Sequence, residues 1–136
     1  MKSVQQAIFS VARAAVLSLL TVFLLTACSK SDDNKSGFEG TYVGKFGDEM
    51  ETPAYHYMLR FKSGGQLERL DQNKTVIATG QWTRNGINVE GYYLFLDDQS
   101  KFSFSGLYTD FDGKIIGNWG FGQSKANGGT FDIKKQ

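Results

Sequence analysis

The sequence predicts an all-β domain, an eight-stranded antiparallel up-and-down meander barrel, preceded by a helical leader and a flexible tether. Three observations carry that expectation. From Phe38 onward, short aromatic and β-branched runs are interrupted by Gly, Asn, Asp and Ser about every eight to twelve residues. Apolar and polar residues alternate within the runs, the period of a strand with one buried face. A Gly-x-aromatic triplet recurs, as in Gly40-Thr41-Tyr42, Gly80-Gln81-Trp82, Gly106-Leu107-Tyr108, Gly117-Asn118-Trp119 and Gly129-Thr130-Phe131.

Taking turns as boundaries gives strands over 40–46, 55–62, 66–70, 75–84, 88–96, 101–109, 114–122 and 130–134. The connections have turn chemistry. Ser63-Gly64-Gly65, Asp71-Gln72-Asn73-Lys74, Asn85-Gly86, Asp97-Asp98-Gln99-Ser100 and Asp112-Gly113 are short enough to make neighbouring strands antiparallel. In the second strand Tyr55, Tyr57, Leu59 and Phe61 share one face, and His56, Met58, Arg60 and Lys62 share the other, wet one. Phe102 and Phe104 oppose Ser103 and Ser105, and Phe131 and Ile133 oppose Asp132 and Lys134. Hairpin-linked strands with one apolar face remove their unpaired edges by closing on themselves. The triplets put glycine and aromatic on the same face, where the missing side chain lets the backbone bend or a ring from a neighbouring strand lie across it.

Ahead of this domain, residues 1–13 carry Lys2 and Arg13 and no acid, and residues 14–27 (AAVLSLLTVFLLTA) are apolar or small up to Cys28, the sole cysteine. As a helix that run spans roughly 21 Å at ~1.5 Å per residue, short of the ~30 Å hydrocarbon core. It is expected to be a secretory signal peptide over 1–27. Leu25-Thr26-Ala27-Cys28 resembles the lipobox of bacterial lipoproteins. The resemblance implies cleavage between Ala27 and Cys28, a diacylglyceryl group on the thiol and acylation of the new amine. Two or three chains anchor a protein stably, where one binds only marginally. Residues 28–37 would then be the lipidated cysteine and a polar tether with nothing to bury. Ser29 after the cysteine looks like an outer-membrane address, and Asp32-Asp33 is similar to surface-export signals of Gram-negative lipoproteins. A plain linker explains the acidic pair equally well, so the membrane face stays open.

The barrel, residues 38–136, carries a resemblance of its own. Gly40-Thr41-Tyr42 is similar to the Gly-x-Trp start of lipocalins, with Tyr for Trp, and Gly128-Gly129-Thr130-Phe131-Asp132-Ile133-Lys134 resembles the closing strand of lipocalin-like and avidin-like barrels. A lipocalin's disulfide has no counterpart, and 122–128 is too short for its helix. The expectation is a minimal lipocalin-like, or calycin-like, barrel.

Charge and composition remove several classes of function. Lys2 and Arg13 belong to the leader, so the part from Cys28 onward holds 13 Lys and Arg against 14 Asp and Glu, a balance that does not suit nucleic acid. One cysteine and one histidine make neither an internal disulfide nor a Cys/His metal site. His56, expected on the solvent face, has no Gly-x-Ser-x-Gly elbow to serve. Asp110-Phe111-Asp112-Gly113 lacks the ligands of a calcium loop and is expected to be a hairpin turn. No catalytic, cofactor or metal residues are therefore expected. Only the long acidic loop 47–54 (GDEMETPA) is placed to act as a lid over the barrel mouth.

Binding is the expected activity. Of 2 Trp, 6 Tyr and 11 Phe, all but Phe9 and Phe23 follow Cys28. Tyr57, Trp82, Tyr92, Phe104 and Trp119 are the rings expected to line a cavity for one small hydrophobic or aromatic ligand, or else to plug the barrel themselves. The alternative is a protein-interaction module, such as an envelope-tethered inhibitor of a lysozyme or protease, whose acidic loop meets a basic partner.

Overall fold

The computed structural model describes residues 37–136. The signal peptide predicted over 1–27, its cleavage site at Ala27 and Cys28, and the tether before Gly37 lie outside the described residues. Eight antiparallel strands form a closed barrel in which each pairs with its sequence neighbours and the last with the first. They are β1 (Gly40–Asp48), β2 (Tyr55–Lys62), β3 (Gln66–Leu70), β4 (Val76–Asn85), β5 (Asn88–Phe95), β6 (Lys101–Thr109), β7 (Lys114–Phe121) and β8 (Gly129–Lys135). Strands 2, 3 and 6 have the predicted bounds. β1 continues past Phe46 to Asp48, because Phe46, Gly47 and Asp48 find partners on β8 at Phe131, Thr130 and Gly129. The remaining boundaries move by one residue, within the fraying of strand ends.

Alternation works as expected on most strands. Tyr57, Leu59 and Phe61 point inward and are essentially inaccessible, as are Phe131 and Ile133 opposite Asp132 and Lys134. His56 takes the outer face and is half-buried there, not fully solvated. Met58, expected on the wet face, is only 4% exposed and pairs across the strands with Leu70, which is also buried. The outer wall at β2 and β3 is therefore partly apolar.

The glycine-aromatic triplets build the interior. A Cβ on Gly80 would stand 1.8 Å from the Tyr92 carbonyl oxygen across the β4–β5 pair, so only glycine lets these backbones approach so closely. At Gly91 the inward space is taken by the Phe104 ring, whose Cζ lies 2.7 Å from where a Cβ would be. An aromatic ring thus covers a glycine from the next strand, as small closed barrels require.

The middle of the barrel is filled. Leu59, Ala78, Val89, Phe104, Ile115, Phe131 and Ile133 are fully buried there, with Phe104 set between Phe61 (6.3 Å) and Phe131 (5.9 Å). One end is closed as well. Phe38, just before β1, packs its ring against Tyr42, Phe61, Trp82 and Tyr108 at centroid distances of 5.0–5.6 Å. Tyr42 Oη donates to the Phe38 carbonyl at 2.6 Å and Trp82 Nε1 to the Lys62 carbonyl at 2.9 Å. At the other end the strand termini leave a concavity.

Candidate functional site: an aromatic mouth around Arg69

The open end is formed by the last residues of β1, β3, β5 and β7 and the first of β2, β4, β6 and β8. Its inward side chains are aromatic because each strand brings its alternating apolar face up to the rim. Phe46 comes from β1, Tyr57 from β2, Tyr93 and Phe95 from β5, Phe102 from β6, and Trp119 and Phe121 from β7. Together they line a concavity of about 360 Å3. The rings brace one another. Phe102 stacks on Tyr93 at 5.9 Å and meets Trp119 at 5.7 Å, while Phe46 stands edge-on to Tyr57 and Trp119, both at 5.6 Å. Trp119 Nε1 donates to the Gly47 carbonyl at 3.0 Å, fixing the indole at the mouth.

The floor holds a cation. β3 pairs Leu59 with Arg69 and Phe61 with Leu67, so Leu67 and Arg69 both face inward. The guanidinium carbon of Arg69 lies 4.8 Å from the ring centroid of Tyr57, 5.2 Å from Phe46, 5.4 Å from Phe95 and 5.5 Å from Tyr93. Each such contact is worth about 0.5–2 kcal/mol, more as water is excluded. Arg69 Nη1 donates to Tyr93 Oη at 2.8 Å, and Tyr93 and Tyr57 hydroxyls lie 3.3 Å apart. The Arg69 Nε is buried with no hydrogen-bond partner, and no ion pair among the described residues includes Arg69. Burial, then the neighbouring Tyr93, holds the Tyr57 phenol well above its ordinary pKa, against the opposing pull of Arg69. Tyr57 is therefore neutral and protonated across the usual pH range.

The rim has the opposite sign. Asp48 lines the concavity, and the loops and strand ends around it carry Glu49, Glu51, Asp71, Asp97 and Asp98, with Lys74, Lys101 and Lys125 as the cations. The loop expected to act as a lid sits at this mouth. Glu49 N–H donates to the Gly128 carbonyl and Ala54 N–H to that of Phe46, tying the loop to its neighbours, while Met50 is fully exposed.

Of the five rings expected to bind a ligand, Tyr57 and Trp119 line the mouth. Trp82 belongs to the closed end and Phe104 to the filled middle. Tyr92 lies on the outer wall. Trp82 faces inward and pairs with Gly91, so the next residue, Tyr92, must face out, where the Lys101 ammonium sits 4.5 Å above its ring. Arg69, Phe46, Tyr93, Phe95 and Phe102 were not singled out from the sequence. The signal for Arg69 was present in the five residues QLERL, since an inward Leu67 requires an inward residue 69.

No protein-family model, curated protein or solved structure matches this chain.

Proposed function

We propose that this protein is an envelope lipoprotein, anchored through acyl chains on Cys28 to the outer membrane, whose lipocalin-like barrel binds one small apolar or aromatic molecule in its open mouth. The observation that carries the binding reading is the aromatic concavity of about 360 Å3 at one end of an otherwise filled barrel. Ligand pockets run from about 300 to 1,000 Å3, so the site suits a molecule of one or two rings.

The anchor and the mouth are compatible in geometry. The described chain begins at Gly37 beside the closed end, where the Gly37 carbonyl accepts from Lys135 Nζ. A tether from Cys28 to Gly37 reaches no more than about 30 Å at ~3.3 Å per residue. Exposed Ile87 and Phe111 sit on the hairpin turns of that same closed end.

The two indoles report on opposite ends, which provides the test. Titrating the purified chain with neutral naphthalene-2-methanol, followed by proton–nitrogen NMR, should shift the Trp119 indole resonance saturably and leave that of Trp82 in place. No shift at either indole would rule the mouth out as a site for such molecules. For the anchor, Cys28→Ala should release the protein from the membrane fraction; continued fractionation with membranes would remove the lipid anchor from this reading.

A second reading is favoured by the acidic rim, namely docking of a partner protein with a basic face. Recovery of a partner from envelope extracts at low salt, abolished by Asp48→Lys with Glu49→Lys and Glu51→Lys, would support it. Recovery unaffected by those reversals would argue against it.

A further inference from the structure

We propose that the mouth is built for a ligand carrying a single acid group, a carboxylate on an apolar or aromatic body, with Arg69 as its counter-ion. The inference rests on the mouth being a ligand site and adds the chemical class of what it takes. Three observations support it: a cage, an unmatched charge and an unused donor.

The cage consists of Tyr57, Phe46, Phe95 and Tyr93, with the guanidinium 4.8–5.5 Å from their centroids. Rings attract a cation but supply no compensating negative charge. Arg69 is partly withdrawn from water, and a carboxylate at contact would supply the charge complement that the rings lack. Arg84, the other inward arginine, has Asp110 at 3.8 Å; Arg69 has no counterpart among the described residues.

The donor is the Arg69 Nε–H, shielded from solvent and unpartnered, while Nη1 is committed to Tyr93 Oη. A buried donor left unmet costs stability, and Arg69 lines the concavity, so a carboxylate there meets the charge at the guanidinium directly, and meets Nε–H where the side chain turns to present it. The phenols extend the recognition. Because Tyr93 Oη accepts from Arg69, its own proton is directed to Tyr57 Oη or to a ligand oxygen, and neutral Tyr57 remains a donor as well.

The acidic rim sets the charge limit. It repels anions at a distance, yet at physiological salt its influence decays over about 8 Å, whereas Arg69 acts at contact. A monoanion with an apolar body pays a small approach cost and gains the full contact; a multiply charged anion does not. Higher salt should therefore speed entry of an acid ligand.

The experiment compares naphthalene-2-carboxylate, naphthalene-2-methanol and 2-naphthylmethylammonium on the purified chain, read at the Trp119 indole. The acid should bind about tenfold tighter than the alcohol or more, given about 1.5–3 kcal/mol for a hydrogen bond to a charged group. The ammonium should bind weakest. Arg69→Gln should bring the acid down to the level of the alcohol, the loss falling far more on the acid than on the alcohol, and Arg69→Lys should keep part of the preference. Equal binding of acid and alcohol by the unaltered protein, tightest binding of the ammonium, or a preference that survives Arg69→Gln would each overturn the proposal. These outcomes remain distinct from failure of the mouth itself: if none of the three compounds shifts Trp119, both readings fall, whereas if the alcohol binds and the acid binds no better, only this one does.

Discussion

The two ends of the barrel present the same pair of ingredients, an inward arginine and a cluster of rings, and use them differently. At the closed end Arg84 lies over Phe38 (5.0 Å) and Tyr108 (4.7 Å), donates from Nε to the Gly86 carbonyl at 2.7 Å and pairs with Asp110. At the open end Arg69 lies among four rings and donates to Tyr93, and its Nε has no hydrogen-bond partner among the described residues. The difference begins with Phe38. A residue ahead of β1 folds back as a plug at one end, and among the described residues no segment plays that part at the other. The same chemistry therefore completes a core in one place and leaves a receptive surface in the other. Sites poised for a ligand commonly sacrifice stability in this way.

Removing the plug should give the largest effect. Phe38→Ala deletes a fully buried ring and should destabilise by about 3 kcal/mol, the lower part of the range for Phe→Ala in cores, seen as a drop in the urea midpoint at unchanged slope. A loss below about 1 kcal/mol would mean the closed end is not held by Phe38, and the contrast between the ends would weaken.

The arginines offer a sharper comparison. Arg84→Met removes a guanidinium that lies over Phe38 and Tyr108 and donates to the Gly86 carbonyl, so a loss of about 1–2 kcal/mol is expected, chiefly from the ring contacts. Arg69→Met removes an unmatched one and replaces it with a flexible apolar chain among rings. The lost cation–π contacts and the bond to Tyr93 are offset only in part by the apolar packing of Met, so the variant should cost less than Arg84→Met, about 0–1 kcal/mol. Thermal unfolding of the two variants side by side decides the point. Equal destabilisation would mean that Arg69 is a structural residue like Arg84.

Tyr93→Phe should act next, and only at the open end. It removes the acceptor of Arg69 Nη1 and should weaken acid binding several-fold, by about 1 kcal/mol, with little change in the Trp82 environment. The smallest effect is one of pH. Glu68, on the outer wall of β3, is held below its ordinary pKa of 4.5 chiefly by the hydrogen bond from Lys62, with Arg60 adding to it. Its contribution to stability is full above that ordinary value and is lost as pH falls through the lower folded value. Glu68→Gln should flatten this part of the acid limb, while the acid-ligand affinity at the open end follows the ligand's own carboxyl instead.

Local sequence was enough for the strands. Turn residues at short intervals, alternation in β2, β6 and β8, and recurring Gly-x-aromatic triplets led to eight strands and closure, because each depends on neighbours within a hairpin. The same local rules placed Tyr57 and Trp119 inside. Tyr92 faces out, contrary to expectation, although β5 carries the phase itself: with Val89 inward and Glu90 outward, Tyr93 is the inward tyrosine, in agreement with the pairing of Gly91 with inward Trp82. The local rules passed over Arg69, since β3 holds an inward arginine beside an outward, buried Leu70, reversing the usual polarity on a strand too short for a pattern to stand out.

The sequence by itself determined that this chain makes an antiparallel barrel with aromatic residues turned inward, because hairpin turns and a two-residue period are properties of adjacent residues. Only the tertiary structure decided that the rings fill the middle and one end, that the other end stays open, and that a charge without an acid lies beneath it. Those outcomes depend on register between strands far apart in sequence and on how ring volumes fit within a closed wall, and no single segment of the chain encodes either.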